Sequence, residues 1–140
     1  MLKSWYAAFF QLPFVPEFFC RVGGNLFLVR SLIKTSNKGT FSEQDLAHYK
    51  QAWRQPHALT SMLNWYRAFK YDVFRKYPKV TVPTLIIWGK NDATLSAEMA
   101  QDSIEMCTQG KLIMLGNATH WLHHEKPNEI NQLILGFIKP

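Results

Sequence analysis

The spacing of apolar positions changes character at Tyr77-Pro78. Before that point, apolar and aromatic residues recur at helical intervals. Ser42-Glu43-Gln44-Asp45 has the form of a capping box, in which Ser42 and Asp45 each satisfy a free backbone donor. Leu46, Tyr49 and Trp53 then follow along one helix. After Pro56, Met62, Tyr66, Phe69 and Val73 fall on the stripe of a second helix. The opening stretch is less regular: Leu12-Pro13 and Val15-Pro16 mark a turn, Gly23-Gly24 a break, and Ser36-Asn37-Lys38-Gly39 a loop.

After Pro78 the pattern alternates. Thr84-Leu85-Ile86-Ile87-Trp88, closed by Gly89, predicts a strand buried on both faces. Ser96 to Cys107 reads as a helix with Ala100, Ile104 and Cys107 on one side, and Gln109-Gly110 breaks it. Lys111 to Leu115 is a second strand. Asn128 to Ile138 is a last helix, with Ile130, Leu133, Ile134, Phe137 and Ile138 as its apolar stripe. Strand, helix, strand, helix with short connections is the pattern of a parallel sheet, so the fold class is α/β. The expected organisation is a helical domain over 1–78 and a sheet-containing domain over 79–140. Two parallel strands are marginal by themselves, and such sheets need cover on both faces. The pattern therefore reads as the later part of a larger α/β sheet whose earlier strands are missing.

Composition narrows the class. The chain has 140 residues, 47% hydrophobic and 19% charged, which excludes a disordered or low-complexity segment. The apolar run Trp5 to Phe10 falls far short of the ~20 residues that span a bilayer. Pro13, Pro16 and Glu17 interrupt the faint signal-peptide look of Met1-Leu2-Lys3 and that run, and no small-residue cleavage site follows. The net charge is +6, but Arg54, Arg67, Lys70, Arg75-Lys76 and Lys79 are scattered rather than clustered. That is a solvated surface with at most a mild attraction to anionic lipid at a membrane periphery, and no nucleic-acid partner is expected. Cys20 and Cys107 have no metal-type spacing and read as buried free thiols of a cytoplasmic protein.

Two polar residues stand where chemistry is expected. Ligands of open α/β sheets bind at the carboxyl ends of the strands. Asp92 follows the first strand in Trp88-Gly89-Lys90-Asn91-Asp92, and His120 follows the second in Gly116-Asn117-Ala118-Thr119-His120-Trp121. Adjacent parallel strands bring both loops to one rim, where a carboxylate can hold one imidazole nitrogen and leave the other to take a proton. His120, His123 and His124 with Glu125 read as a loop-to-helix junction rather than a metal site, because adjacent histidines seldom face one ion. Trp53, Trp65 and Trp88 read as core, and Met99 and Met106 as helix fillers. Trp121 reads equally as pocket lining or as packing.

Pro83 to Asp92, then His120-Trp121 ahead of a final amphipathic helix, resembles the C-terminal part of an α/β-hydrolase. The first half resembles the lid of epoxide hydrolases. Tyr6-Ala7-Ala8-Phe9-Phe10-Gln11-Leu12-Pro13 with Pro16-Glu17 matches the lid entry, and Leu63-Asn64-Trp65-Tyr66-Arg67 the segment carrying a second tyrosine. The resemblance covers essentially the whole chain and implies a helical lid ahead of the C-terminal part of the hydrolase core. It implies Tyr6 and Tyr66 as hydrogen-bond donors to the opening epoxide oxygen, Asp92 as the acid, His120 as the base and Trp121 as a substrate contact. The implied reaction adds water to a small apolar epoxide through a covalent ester intermediate, without cofactor or metal. The family nucleophile sits on a Gly-x-Asp-x-Gly turn ahead of the lid. No such motif occurs here: Asp45, Asp72 and Asp102 lie in predicted helices without suitable glycines. The expectation is a fragment that lacks its N-terminal core segment and is inactive alone. A related reading is a haloalkane or haloacid dehalogenase, to which Trp5 beside Tyr6 lends some support. A third is a non-catalytic truncated pseudoenzyme or interaction protein.

Overall fold

A computed structural model describes residues 5–71 and 77–139, without the Trp5 side chain. The expectations placed on Met1-Leu2-Lys3, Val73, Asp72, Arg75-Lys76 and the Trp5 indole lie outside the described residues. The described residues form two compact units: 5–34 with 41–71, and 35–40 with 77–139.

The first unit is helical. It contains α1 (Trp5–Phe9), α2 (Val15–Thr35), α3 (Glu43–Trp53), α4 (Ala58–Ala68) and a 3-10 turn at Phe69–Tyr71. Ser42 opens α3 with the full capping box, its hydroxyl accepting from the Asp45 N–H while Asp45 accepts from the Ser42 N–H. The Gly23-Gly24 break is a kink inside α2. Gly23, Gly24 and also Asn25 take left-handed φ values of 62°, 67° and 68°, a region that glycine enters freely and asparagine more readily than most residues. Asn25 is held there because its buried amide donates to the Cys20 carbonyl at 2.8 Å. Cys20, Val29, Leu32, Trp53, Leu59 and Leu63 form the buried apolar set. Trp65, expected in the core, is 69% exposed; of the predicted stripe, Met62 and Phe69 are exposed as well, and α4 ends at Ala68, so Phe69 lies in the 3-10 turn.

The second unit holds β1 (Thr84–Gly89), α5 (Glu98–Glu105), β2 (Gly110–Leu115), α6 (Leu122–Glu125) and α7 (Pro127–Ile138). The strands pair in parallel, with Thr84 opposite Gly110 and Gly89 opposite Leu115. Leu115, Ala118 and Ile130 are buried, with Ile87, Ile113, Leu122 and Leu133 packed on them. The expected double-sided burial of β1 is not reached: every residue from Thr84 to Trp88 is only half-buried. A sheet of two strands is too narrow to close off both faces. The same shortage leaves Ile134, Phe137 and Ile138 of the α7 stripe exposed, and Cys107 is half-buried rather than buried. Among the described residues no helix is long and apolar enough to cross a membrane.

Candidate functional site

The carboxyl ends of β1 and β2 are tied by backbone. Past β1, the Lys90 N–H donates to Leu115 O and the Asn91 N–H to Ala118 O, both at 2.9 Å. Gly89 makes this approach feasible. A Cβ at that position would stand 2.3 Å from the Thr119 carbonyl oxygen and 2.5 Å from that of Ala118.

Asp92 follows on a tight turn and is buried. Its Oδ1 accepts from the Thr94 N–H at 2.7 Å, the Thr94 hydroxyl at 2.7 Å and the Leu95 N–H at 2.9 Å. Its Oδ2 lies 2.9 Å from His120 Nδ1. Burial pushes the Asp92 carboxyl up, but the bonds from Leu95, Thr94 and His120 together bring it below the usual aspartate range. The network also assigns the imidazole tautomer. Thr94 Oγ1 sits 3.0 Å from the same Nδ1, and its single proton is committed to Asp92. The hydroxyl can therefore only accept, so Nδ1 carries the hydrogen, and in the neutral ring it is Nε2 that has the lone pair.

The loop bearing His120 is also held by Glu125. Glu125 Oε2 accepts from the Thr119 N–H at 2.7 Å, and its Oε1 accepts from the Thr119 hydroxyl at 2.7 Å and the Asn37 N–H at 2.8 Å. Burial pushes the Glu125 carboxyl up, and the bonds from Asn37, Thr119 and Thr40 outweigh it, leaving the group low. The Asn37 amide donates to Asn117 O at 2.9 Å, and the Trp121 indole N–H to the Thr35 hydroxyl at 2.8 Å. Trp121 stands edge-on to His120, ring centroids 5.4 Å apart. Among the described residues no cluster of His, Cys, Asp or Glu is arranged to hold a metal ion.

In the helical unit, Tyr6 on α1 and Tyr66 on α4 pack edge-to-face, centroids 5.8 Å apart at 83°. Phe10 lies against both rings. Burial raises the Tyr66 phenol above its ordinary value, which keeps it a neutral donor. Arg67 locks the α1–α2 connection onto α4. It grips both Glu17 carboxylate oxygens at 2.7 and 3.0 Å, and also donates to Phe10 O, Leu12 O and Asn64 Oδ1. Every guanidinium N–H thus has an acceptor. Each expected pair is brought together within its own unit: Asp92 with His120, and Tyr6 with Tyr66.

No family model matches the chain. Individual relatives do. The AB hydrolase superfamily protein YfhM of Bacillus subtilis is 42% identical over 139 residues, covering 99% of this chain and 49% of the relative. Human epoxide hydrolase 4 is 37% identical, covering 99% of this chain and 40% of its own length. Among solved structures, the epoxide hydrolase of Bacillus megaterium in complex with an inhibitor superposes with a TM-score of 0.79 at 28% identity, over 97% of this chain and 51% of that one. The chain has the α/β-hydrolase fold. It is similar to epoxide hydrolases and carries the C-terminal part of the hydrolase fold, spanning about half the length of the curated relatives it matches.

Sequence reasoning missed three residues of this arrangement. Thr94 bridges acid and imidazole, but a threonine two positions past an aspartate looks like ordinary turn chemistry. Glu125 was weighed only as a metal ligand, and its carboxylate instead serves the His120 loop. Gly89 was read as a strand terminator, whereas its missing side chain admits the backbone of Ala118 and Thr119.

Proposed function

We propose that this protein carries the acid, the base and the oxygen-binding phenols of an epoxide hydrolase, with residues 1–78 as the lid and 79–140 as the C-terminal portion of the core. The carboxylate nucleophile has no counterpart motif in these 140 residues and is assigned to the half of the relatives that the chain does not match. The observation that carries the reading is the Tyr6–Tyr66 pair, since an acid–histidine pair is common to hydrolases of many kinds. Two neutral phenols suit the reaction. As a carboxylate attacks an epoxide carbon, the ring C–O bond breaks and negative charge grows on the oxygen, which the phenols stabilise and protonate. His120 Nε2 then takes a proton from water as that water attacks the ester carbonyl. The ester C–O bond breaks, the new carboxyl gives its proton to the departing alkoxide so that the diol leaves and the carboxylate is regenerated, and the imidazolium proton returns to the phenolate. Asp92 stabilises the imidazolium formed in that step.

The named epoxide hydrolases among the relatives and the aromatic lid support a small apolar epoxide as substrate. Trp121, edge-on to His120, fits the wall of that pocket. The free thiols of Cys20 and Cys107 fit a cytoplasmic location. The test is a chimera joining this chain to the unmatched half of the Bacillus subtilis relative, assayed with styrene oxide. Diol formation is expected, falling about 100-fold or more in Tyr6→Phe plus Tyr66→Phe. Undiminished diol formation in that variant, or halide release from a chloroalkane instead, would overturn the reading.

A further inference from the structure

Thr119, the residue before His120, is buried and has both of its donors committed to one carboxylate, that of Glu125. The same carboxylate takes the Asn37 N–H from the 35–40 segment. That segment also reaches the loop on either side of Thr119: Asn37 holds the carbonyl of Asn117, and Thr35 takes the indole N–H of Trp121. Asn117 itself is left-handed, with φ at 53°, so the loop turns sharply just before Ala118 and His120. Asp92 fixes the imidazole from one side only, through Nδ1. The backbone that carries the ring needs a second anchor, and Glu125 is the group positioned to supply it. Its side chain reaches the loop through the Thr119 N–H and hydroxyl.

We propose that Glu125 is a positioning residue for His120: it fixes the Thr119 backbone, and with it the Nδ1–H geometry toward Asp92, and it couples the 35–40 segment to that geometry. Glutamine cannot substitute. Whichever way its amide is turned, one end presents N–H groups to a donor that the carboxylate oxygen accepts from, either the Thr119 N–H or the pair formed by Asn37 N–H and the Thr119 hydroxyl. The loop must then shift to relieve the clash. Aspartate at position 125 keeps the charge but is one methylene short of the Thr119 N–H and hydroxyl.

The positioning role rests on the reading of His120 as the base, and the experiment separates the two. In the 140-residue chain, the imidazole nitrogens of His120 are observed by NMR at neutral pH. The native protein should show the Nδ1–H form. Glu125→Gln should convert it to a mixture with the Nε2–H form, while amide shifts of β1 and β2 stay in place. An unchanged tautomer with a shifted Thr119 amide overturns the proposal. If the glutamine variant does not fold, Glu125→Asp is read in the same way, and an unchanged His120 tautomer in it overturns the proposal. In the active chimera, Glu125→Gln should slow hydrolysis of the ester intermediate by up to about 100-fold. Single-turnover formation of that ester should be unaffected. A chimera that makes no diol at all, beside an intact tautomer response in the chain, sinks the epoxide hydrolase reading and leaves the link from Glu125 to His120 standing.

Discussion

Replacing Gly89 by alanine probes how the two strand ends are held together. The added Cβ would stand 2.3 Å from Thr119 O, 2.5 Å from Ala118 O and 2.8 Å from Ala118 C. These are backbone atoms, so no flexible side chain can swing away. Ordinary contact is about 3.5 Å, so the loop must retreat by roughly 1 Å. That retreat strips the Asn91 N–H from Ala118 O. Forcing extra volume into a packed site costs about 1–3 kcal/mol. Asn91 is exposed, so its freed amide can turn to water and adds little. A cost of about 1–3 kcal/mol is a sizeable share of the ~5–15 kcal/mol by which a domain is stable. Gly136 in α7 supplies the opposite sign, since nothing lies within 4 Å of a Cβ built there. Alanine at 136 should stabilise by about 0.5–1 kcal/mol through lost backbone freedom in the unfolded chain. Urea unfolding of the chain at sub-micromolar concentration, followed by tryptophan fluorescence, reads both variants. Hydrogen exchange at Asn91 reads the local bond. A Gly89→Ala midpoint equal to that of the parent, with the Asn91 amide still protected, would refute the close-approach argument.

Arg67→Lys should destabilise the helical unit by about 2–4 kcal/mol, because lysine keeps the charge but cannot occupy Glu17 and two backbone carbonyls at once; an unfolding midpoint unchanged by the substitution would contradict this. Acid should weaken both units. The carboxyls of Glu17, Asp92 and Glu125 lie below their usual ranges in the folded protein. Their contribution is therefore whole above the unfolded values of about 4 and is lost as pH falls through the lower folded ones. Urea midpoints flat between about pH 7 and about pH 5 and dropping steeply below about pH 4 are expected, and a midpoint that rises on acidification would reverse the sign. Asp92→Asn should cost about 2–4 kcal/mol by giving the Thr94 and Leu95 donors a poorer acceptor, and should also lose the Nδ1–H signature of His120 by NMR. The half-buried β1 and the exposed Phe14, Phe18 and Ile138 should make the chain self-associate as concentration rises; light scattering that stays monomeric at high concentration would count against it.

Local signals were legible wherever local chemistry decides. The Ser42–Asp45 pattern is a capping box because both partners lie within one turn. The β-branched run ending at Gly89 is a strand in register with the run ending at Leu115. The Gly23-Gly24 break was visible, but its extension into Asn25 was not. A left-handed asparagine is stable there only because the Cys20 carbonyl is buried within reach of its amide. Burial was the weaker inference. Periodicity tells which side of a helix or strand is apolar and says nothing of whether a neighbour exists to cover it, which is why Trp65 and Ile138 stand exposed.

The site divides along the same line. Asp92 and His120 could be paired from sequence because strand topology alone forces their loops onto one rim. Tyr6 and Tyr66 needed the family resemblance, since nothing in their spacing links α1 to α4. Glu125 was beyond either route. Its decisive partner, Asn37, lies 88 positions away, in a segment that reads as a polar loop. A carboxylate that bonds to main chain also leaves no mark on the residue types of its partners, because any amino acid except proline supplies the same N–H. Side-chain chemistry at the site is therefore written in the residues that touch the reactants. The chemistry that aims those residues runs through backbone, and it becomes visible only when the loops are seen side by side.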